Sequence, residues 1–127
     1  MSLTEMAGWV FVLLAMVVCL FHLSIVFGAP WGEYTMGGQI KGKLPASRRI
    51  AAVIQAFLMG YFAFVVAENS GIVNFESGVF QVNLWILVAF FALGTIANLI
   101  TPSKRERRLW APVTVVMLLS TIYLALD

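Results

Sequence analysis

Few side chains in this sequence are able to do chemistry, and those that interrupt its apolar runs are the first candidates. His22, Gln55 and Asn98 lie within such runs, and Thr95 precedes Asn98 by about one helical turn. Because each helical residue advances about 1.5 Å, the first three are expected at a similar depth. Polar groups in apolar surroundings favour a functional role, here a shared pocket. The alternative is that His22 only hydrogen-bonds Gln55 or Asn98 and holds the helices together.

Metal and covalent chemistry have little support. Cys19 and His22 are the only cysteine and the only histidine, and their spacing places them on adjacent turns of one helix face. A zinc site needs three or four protein ligands, and bis-histidine haem ligation needs two histidines. A cysteine in apolar surroundings is normally unreactive. We therefore expect no catalytic residue, no metal and no cofactor within one chain.

The segment 28–38 is rich in glycine and aromatic residues and contains one charge, Glu33. It belongs to a long connection, and long connections are usually either functional or disordered; the aromatic content disfavours disorder. We expect it to fold over the pocket mouth, with Trp31 at the membrane interface and Glu33 near His22 as a proton-bearing pair. The alternative is a purely interfacial anchor. The candidate ligand-binding residues are His22, Gln55, Asn98, Thr95, Trp31, Glu33 and Tyr34.

Four apolar runs have to position these residues, at approximately 7–27, 50–67, 80–100 and 109–126. None of them contains Lys, Arg, Asp or Glu, and each approaches the roughly 20 residues that a spanning helix needs. The whole chain is 61% hydrophobic and 11% charged, whereas soluble domains are about 25% charged. The sequence predicts an all-α polytopic membrane protein, with residues 1–127 forming one domain of four transmembrane helices in a compact up-down bundle.

The basic residues predict the orientation of this bundle. All of them fall in the first and third connections: Lys41, Lys43, Arg48, Arg49, Lys104, Arg105, Arg107 and Arg108. Since Lys and Arg beside spanning helices stay in the cytoplasm, segments 28–49 and 101–108 should lie inside and both termini outside. The same residues are expected to contact anionic lipid headgroups. No nucleic-acid partner is expected, because no folded basic surface is indicated.

A resemblance is visible in His22, in the run Gly28-Ala29-Pro30-Trp31-Gly32-Glu33-Tyr34-Thr35-Met36-Gly37-Gly38, and in the later Trp110-Ala111-Pro112. With these motifs the chain resembles a group of small, uncharacterised bacterial four-helix integral membrane proteins. Members carry a histidine near the end of helix one, followed by a G-x-P-W-G-type loop. The resemblance implies a multi-pass protein of the bacterial cytoplasmic (inner) membrane, and it implies no activity.

The pattern favours a protein that binds or transports a small amphipathic or ionic ligand from the cytoplasmic side. Four short helices leave little room for a pathway within one chain, so a homo-oligomer is expected. Two alternatives stay open: an accessory subunit of a larger membrane complex, and an enzyme that modifies lipids or isoprenoids with His22 and Glu33 as an acid–base pair. The shortage of catalytic groups disfavours the enzyme.

Overall fold

The computed structural model describes all residues from Met1 to Asp127, and all of its regular structure is helical. The prediction of an all-α chain with four helices is confirmed. The helices are α1 (Leu3–Val26), α2 (Ala46–Asn69), α3 (Leu84–Ile100) and α4 (Lys104–Leu126). By length and composition, α1, α2 and α4 are able to cross a membrane, whereas α3 is equally apolar but has only 17 residues.

The helices begin at different residues from those that hydropathy predicts. Helix α4 begins at Lys104 because the Ser103 side chain caps it, accepting a hydrogen bond from the Glu106 N–H at 3.1 Å. Helix α3 begins only at Leu84, where Asn83 is the capping residue. Residues 80–83 are therefore not helical. The segment 104–108 forms the first turn of α4 instead of a loop, which fixes the direction of its side chains.

Contacts at the two ends of the bundle show that the helices alternate in direction. The Thr4 hydroxyl donates to Asp127 Oδ2 at 2.8 Å, so the two termini lie at one end with the 70–83 loop, and we call this the terminal end. The Ser103 hydroxyl donates to the Glu33 carbonyl at 2.6 Å, so the first and third connections meet at the other end. That end carries all eight Lys and Arg residues, and we call it the basic end.

The packing of the helices is uneven. Helix α1 lies along both α2 and α4, and α3 lies along α4, but α2 and α3 make almost no close backbone contacts. In the half nearer the terminal end, phenyl rings fill the space: Phe11 meets Phe91 edge-on with centroids 5.2 Å apart, and Phe62 lies 5.9 Å from Phe91. In the half nearer the basic end, the separation of α2 from α3 leaves an open space.

Small residues allow a close helix approach in the first hairpin, which is formed by α1 and α2; α3 and α4 form the second hairpin. Ala52 and Ala56 of α2 are buried, and the Cys19 thiol of α1 donates to the Ala56 carbonyl at 3.5 Å. Backbones approach closely where side chains are small, which is how helices associate in lipid. This contact fixes α1 against α2 and orients the face of α1 that carries His22.

Candidate functional site

A cavity of about 660 Å³ occupies the space between α2 and α3 at the basic end, and all four helices contribute to its wall. Small-molecule sites in proteins usually enclose roughly 300–1,000 Å³ and are mostly apolar with a few polar groups. Both the volume and the composition of this cavity match that description. It is the candidate functional site of the chain.

The cavity-lining residues follow one face of each helix at steps of three or four. From the basic end inward, they include Glu106, Trp110, Thr114 and Met117 on α4, Asn98, Gly94 and Phe91 on α3, Gln55 and Met59 on α2, and His22 and Val18 on α1. This spacing places the side chains of each helix in one row. In every row a polar residue lies nearer the basic end than the deepest, apolar residue, although Ala51 of α2 and Ile100 of α3 also line the outer part. The polar groups of the wall are thus concentrated toward the mouth, and the floor is apolar.

Aromatic rings form the floor. Phe90 and Phe91 line the cavity, and the Phe62 ring lies 5.0 Å from Phe90, centroid to centroid, in an edge-on arrangement. Ring pairs at such distances add about 0.5–1.5 kcal/mol beyond the burial of their surfaces. The cluster therefore closes the cavity toward the terminal end and holds α2 to α3 where their backbones separate.

The first connection covers the mouth, and Tyr34, Thr35, Met36 and Gly37 belong to the cavity wall. It is fastened to the second hairpin by three hydrogen bonds, which we call the clasp. They run from Ser103 Oγ to the Glu33 carbonyl (2.6 Å), from Trp110 Nε1 to the Tyr34 carbonyl (2.8 Å), and from the Gly37 N–H to Glu106 Oε2 (3.2 Å). One of them ends on Ser103, the capping residue of α4, and the other two end on the first two turns of that helix, so the cover and α4 form one unit.

The close approach of this cover to α4 requires glycine at position 38. Gly38 has a φ of +70°, a backbone conformation that residues with a side chain rarely adopt. A Cβ atom at Gly38 would lie only 2.7 Å from the Ser103 Cβ. The chain can therefore approach α4 closely enough for the clasp to form only where the side chain is a hydrogen atom.

Four of the seven sequence-predicted site residues meet at the cavity: His22, Gln55, Asn98 and Tyr34. No hydrogen bond joins His22, Gln55 and Asn98 to one another. The His22 Nδ1 instead donates to the Val18 carbonyl at 2.8 Å, and the Asn98 amide donates to the Gly94 carbonyl at 2.8 Å. Each of these two side chains bonds a backbone carbonyl of its own helix, so neither joins two helices through this hydrogen bond.

The other three predicted residues lie outside the cavity wall. The Thr95 hydroxyl is buried and donates to the Phe91 carbonyl at 2.7 Å. Trp31 is 42% exposed and stacks on Phe21, with an interplanar angle of 11°. Contrary to the expectation of a Glu33–His22 pair, the Glu33 carboxylate forms its ion pair with Arg105, at 3.4 Å. The early start of α4 explains this pairing, because it brings a guanidinium group to the loop.

Glu106 is the site residue that sequence reasoning missed. It lies among four basic residues that are expected to contact lipid headgroups, yet its side chain lines the cavity and is only 7% exposed. A signal was present in the sequence, since Ser103-x-x-Glu106 has the spacing of a capping box. In that motif the glutamate bonds the capping N–H; here Ser103 N–H donates to Thr101 Oγ1, and Glu106 bonds Gly37.

The structure contains no group of three or more His, Cys, Asp or Glu side chains arranged to hold a metal ion. Comparison of the chain with protein-family models, curated proteins and solved structures finds no significant match. The functional conclusion is therefore drawn from the geometry of the cavity, from its polar mouth, its aromatic floor and its covering loop.

Proposed function

We propose that the chain is a four-pass protein of the bacterial cytoplasmic membrane, with its basic end in the cytoplasm and both termini outside. Large apolar residues cover the outer faces of the bundle, including Phe57 at 77% and Leu93 at 70% exposure, which suits contact with lipid tails. The eight basic residues at one end support the orientation. The bacterial assignment comes from the resemblance to the small four-helix proteins described above.

Within that setting, we infer that the cavity binds a small amphipathic ligand that arrives from the cytoplasmic side. The observation that carries this conclusion is the gradient along the lining, from Glu106, Asn98 and His22 at the mouth to Phe91 and Met117 at the floor. A ligand with a polar head and an apolar body would match both parts at once. Transport by an assembly of several copies would build on this binding step.

A photoreactive neutral alkanol carrying a diazirine tests the binding function. The protein is reconstituted in nanodiscs of zwitterionic lipid, irradiated with the probe, and digested so that labelled peptides are mapped by mass spectrometry. We expect labelling of floor residues such as Met59 and Met117, and saturation of that labelling as the probe concentration rises. Labelling confined to lipid-facing residues such as Phe57, without saturation, would contradict the proposal.

The sharpest variant for this experiment is Gly94→Leu. Gly94 lines the cavity, and a Cβ atom added there meets no heavy atom within 4 Å, so a larger side chain fills the cavity without a backbone clash. Gly60→Leu is the matched control, because Gly60 is helical, equally unobstructed and absent from the cavity wall. Floor labelling should fall at least fivefold in Gly94→Leu and stay unchanged in Gly60→Leu, with both variants eluting as the native species on size exclusion.

A further inference from the structure

Several hydrogen-bond donors of the cavity wall are occupied by the protein itself, although the Gln55 amide and the Tyr34 and Thr35 hydroxyls are not. Four side-chain donors bond backbone carbonyls: His22 Nδ1 to Val18 (2.8 Å), Asn98 Nδ2 to Gly94 (2.8 Å), Thr114 Oγ1 to Trp110 (2.9 Å) and Trp110 Nε1 to Tyr34 (2.8 Å). The hydrogen-bond acceptors of His22 and Asn98, in contrast, have no partner within the protein. With Nδ1 donating, the neutral His22 ring has Nε2 as an acceptor, and the Asn98 carbonyl oxygen makes no bond to the protein.

Glu106 adds a negative charge to these acceptors. One of its oxygens accepts the Gly37 N–H, and no Lys, Arg or His nitrogen lies within ion-pairing distance, since the one ion pair of the chain joins Arg105 to Glu33. Burying a carboxylate without a cationic partner is costly, and the N-terminal turn of α4 with a single backbone N–H offsets only part of that cost. The site therefore holds a carboxylate with capacity for a positively charged partner.

The basic residues beside Glu106 do not supply this partner. The Arg107 guanidinium donates to the Thr101 carbonyl at 3.0 Å, and Arg105 is bound to Glu33. Lys104 and Arg108 are exposed. None of the 21 residues that line the cavity is a lysine or an arginine. An anionic ligand would therefore meet a carboxylate and several lone pairs, with no cation in the wall to stabilise it.

We propose that the ligand of this cavity is an organic ammonium ion with an apolar body, an inference that rests on the binding function proposed above. Its ammonium group lies at the mouth, donating hydrogen bonds to Glu106 and to the acceptors of His22 and Asn98. Its apolar body lies against the rings of Phe90 and Phe91.

Three diazirine probes of equal chain length test the charge preference: a primary alkylammonium ion, the neutral alkanol and an alkyl carboxylate. All are compared in nanodiscs of zwitterionic lipid, so that surface charge of the membrane does not bias partitioning. We expect half-maximal labelling of the cavity floor at a concentration at least tenfold lower for the ammonium probe than for the alkanol. The carboxylate probe should label the floor least.

Glu106→Gln is the decisive variant, because its amide oxygen is still able to accept from the Gly37 N–H while the charge is gone. It should reduce the ratio of the alkanol to the ammonium half-maximal concentration from at least ten to about one. Glu76→Gln, which changes the same charge in the exposed loop at the terminal end, should leave this ratio unchanged. If Glu106→Gln fails to fold, the order of the three probes on the unaltered protein decides the question.

The outcomes separate the two proposals. Equal labelling by ammonium and alkanol, or stronger labelling by the carboxylate, would overturn the cation inference and leave the binding function in place. An ammonium preference that persists in Glu106→Gln would also overturn it, since the carboxylate would not be its cause. Absence of floor labelling by all three probes would overturn the binding function itself.

Discussion

The two ends of the bundle are built in different ways. At the terminal end, the loop 70–83 returns to α2 through rings: Phe80 lies 5.4 Å from Phe64 and 5.0 Å from Phe75, measured between centroids. At the basic end, a polar loop is fastened to α4 by hydrogen bonds, and the helices stand apart around a cavity. Ring packing gives the first end its rigidity, whereas the second end depends on a few directed polar contacts.

This difference teaches where the molecule is able to move. A net hydrogen bond contributes only about 0.5–1.5 kcal/mol, whereas a buried ring loses several kcal/mol of packing when it is removed. Local opening begins where few buried apolar contacts hold the chain. The clasp should therefore open more readily than the aromatic core, and opening it would uncover the cavity without disturbing the core.

The largest loss of stability is expected from a substitution in the aromatic core, in the half nearer the terminal end. Phe11 is fully buried and not part of the cavity wall, so Phe11→Ala should lower the free energy of unfolding by about 3–5 kcal/mol. Reversible unfolding in mixed detergent–SDS micelles measures this change. Phe57→Ala is the control, because its ring is 77% exposed and should matter by less than about 1 kcal/mol. Similar losses for both variants would refute the assigned core.

A smaller effect is expected at the cover. Ala at Gly38 or at Gly42 must adopt a positive φ, which costs roughly 1–2 kcal/mol in either position. Only Gly38→Ala also brings its Cβ against Ser103, at roughly a further 1–3 kcal/mol, since nothing lies within 4 Å at Gly42. Hydrogen exchange of residues 32–40 should accelerate more in Gly38→Ala, with exchange of the core helices unchanged. Equal acceleration in both variants would argue against a close approach to α4.

The smallest expected loss of stability distinguishes the contribution of the clasp from that of ordinary helix capping. Ser2 and Ser103 each accept a backbone N–H three residues later. Ser2 also donates to the exposed Glu5 carboxylate of its own helix, whereas Ser103 donates across the bundle to the Glu33 carbonyl. Loss of a cap costs about 1 kcal/mol, and the additional hydrogen bond should add roughly another 1 kcal/mol. Thermal unfolding in detergent should thus show a larger loss for Ser103→Ala than for Ser2→Ala. A larger loss for Ser2→Ala would show that the Glu33 contact contributes nothing.

Hydropathy predicted the four helices because each apolar run is long, but it did not predict where they begin. Because Asn83 and Ser103 cap α3 and α4, these two helices begin several residues away from the starts that hydropathy predicts. That His22, Gln55 and Asn98 lie close together could be predicted from the sequence, because the helical rise gives the depth of each residue in the bundle. The direction in which each side chain points within the bundle was harder to predict. Thr95 lies about one turn from Asn98, but its hydroxyl bonds the backbone of its own helix and it does not line the cavity.

The role of Glu106 was hidden for a different reason. Its neighbours in sequence are all basic, and its burial depends on Gly37, which is 69 positions away in the chain. The Ser103-x-x-Glu106 spacing indicates where α4 begins, but it does not predict a contact with a residue so distant in sequence. Glu33 shows the converse error, because proximity in sequence to the end of α1 suggested His22 as its partner, whereas Arg105 from the other hairpin reaches it.

The brevity of α3 has a consequence for the surrounding lipid. At 17 residues it is about 26 Å long, shorter than the roughly 30 Å of a typical hydrocarbon layer. In the proposed bilayer setting, acyl chains beside α3 must compress or headgroups must dip toward it, and both responses fall on the flank where the cavity lies. Phospholipids with short tails would relieve this hydrophobic mismatch, so bilayer thickness becomes a physical variable that acts on the same side of the protein as its binding cavity.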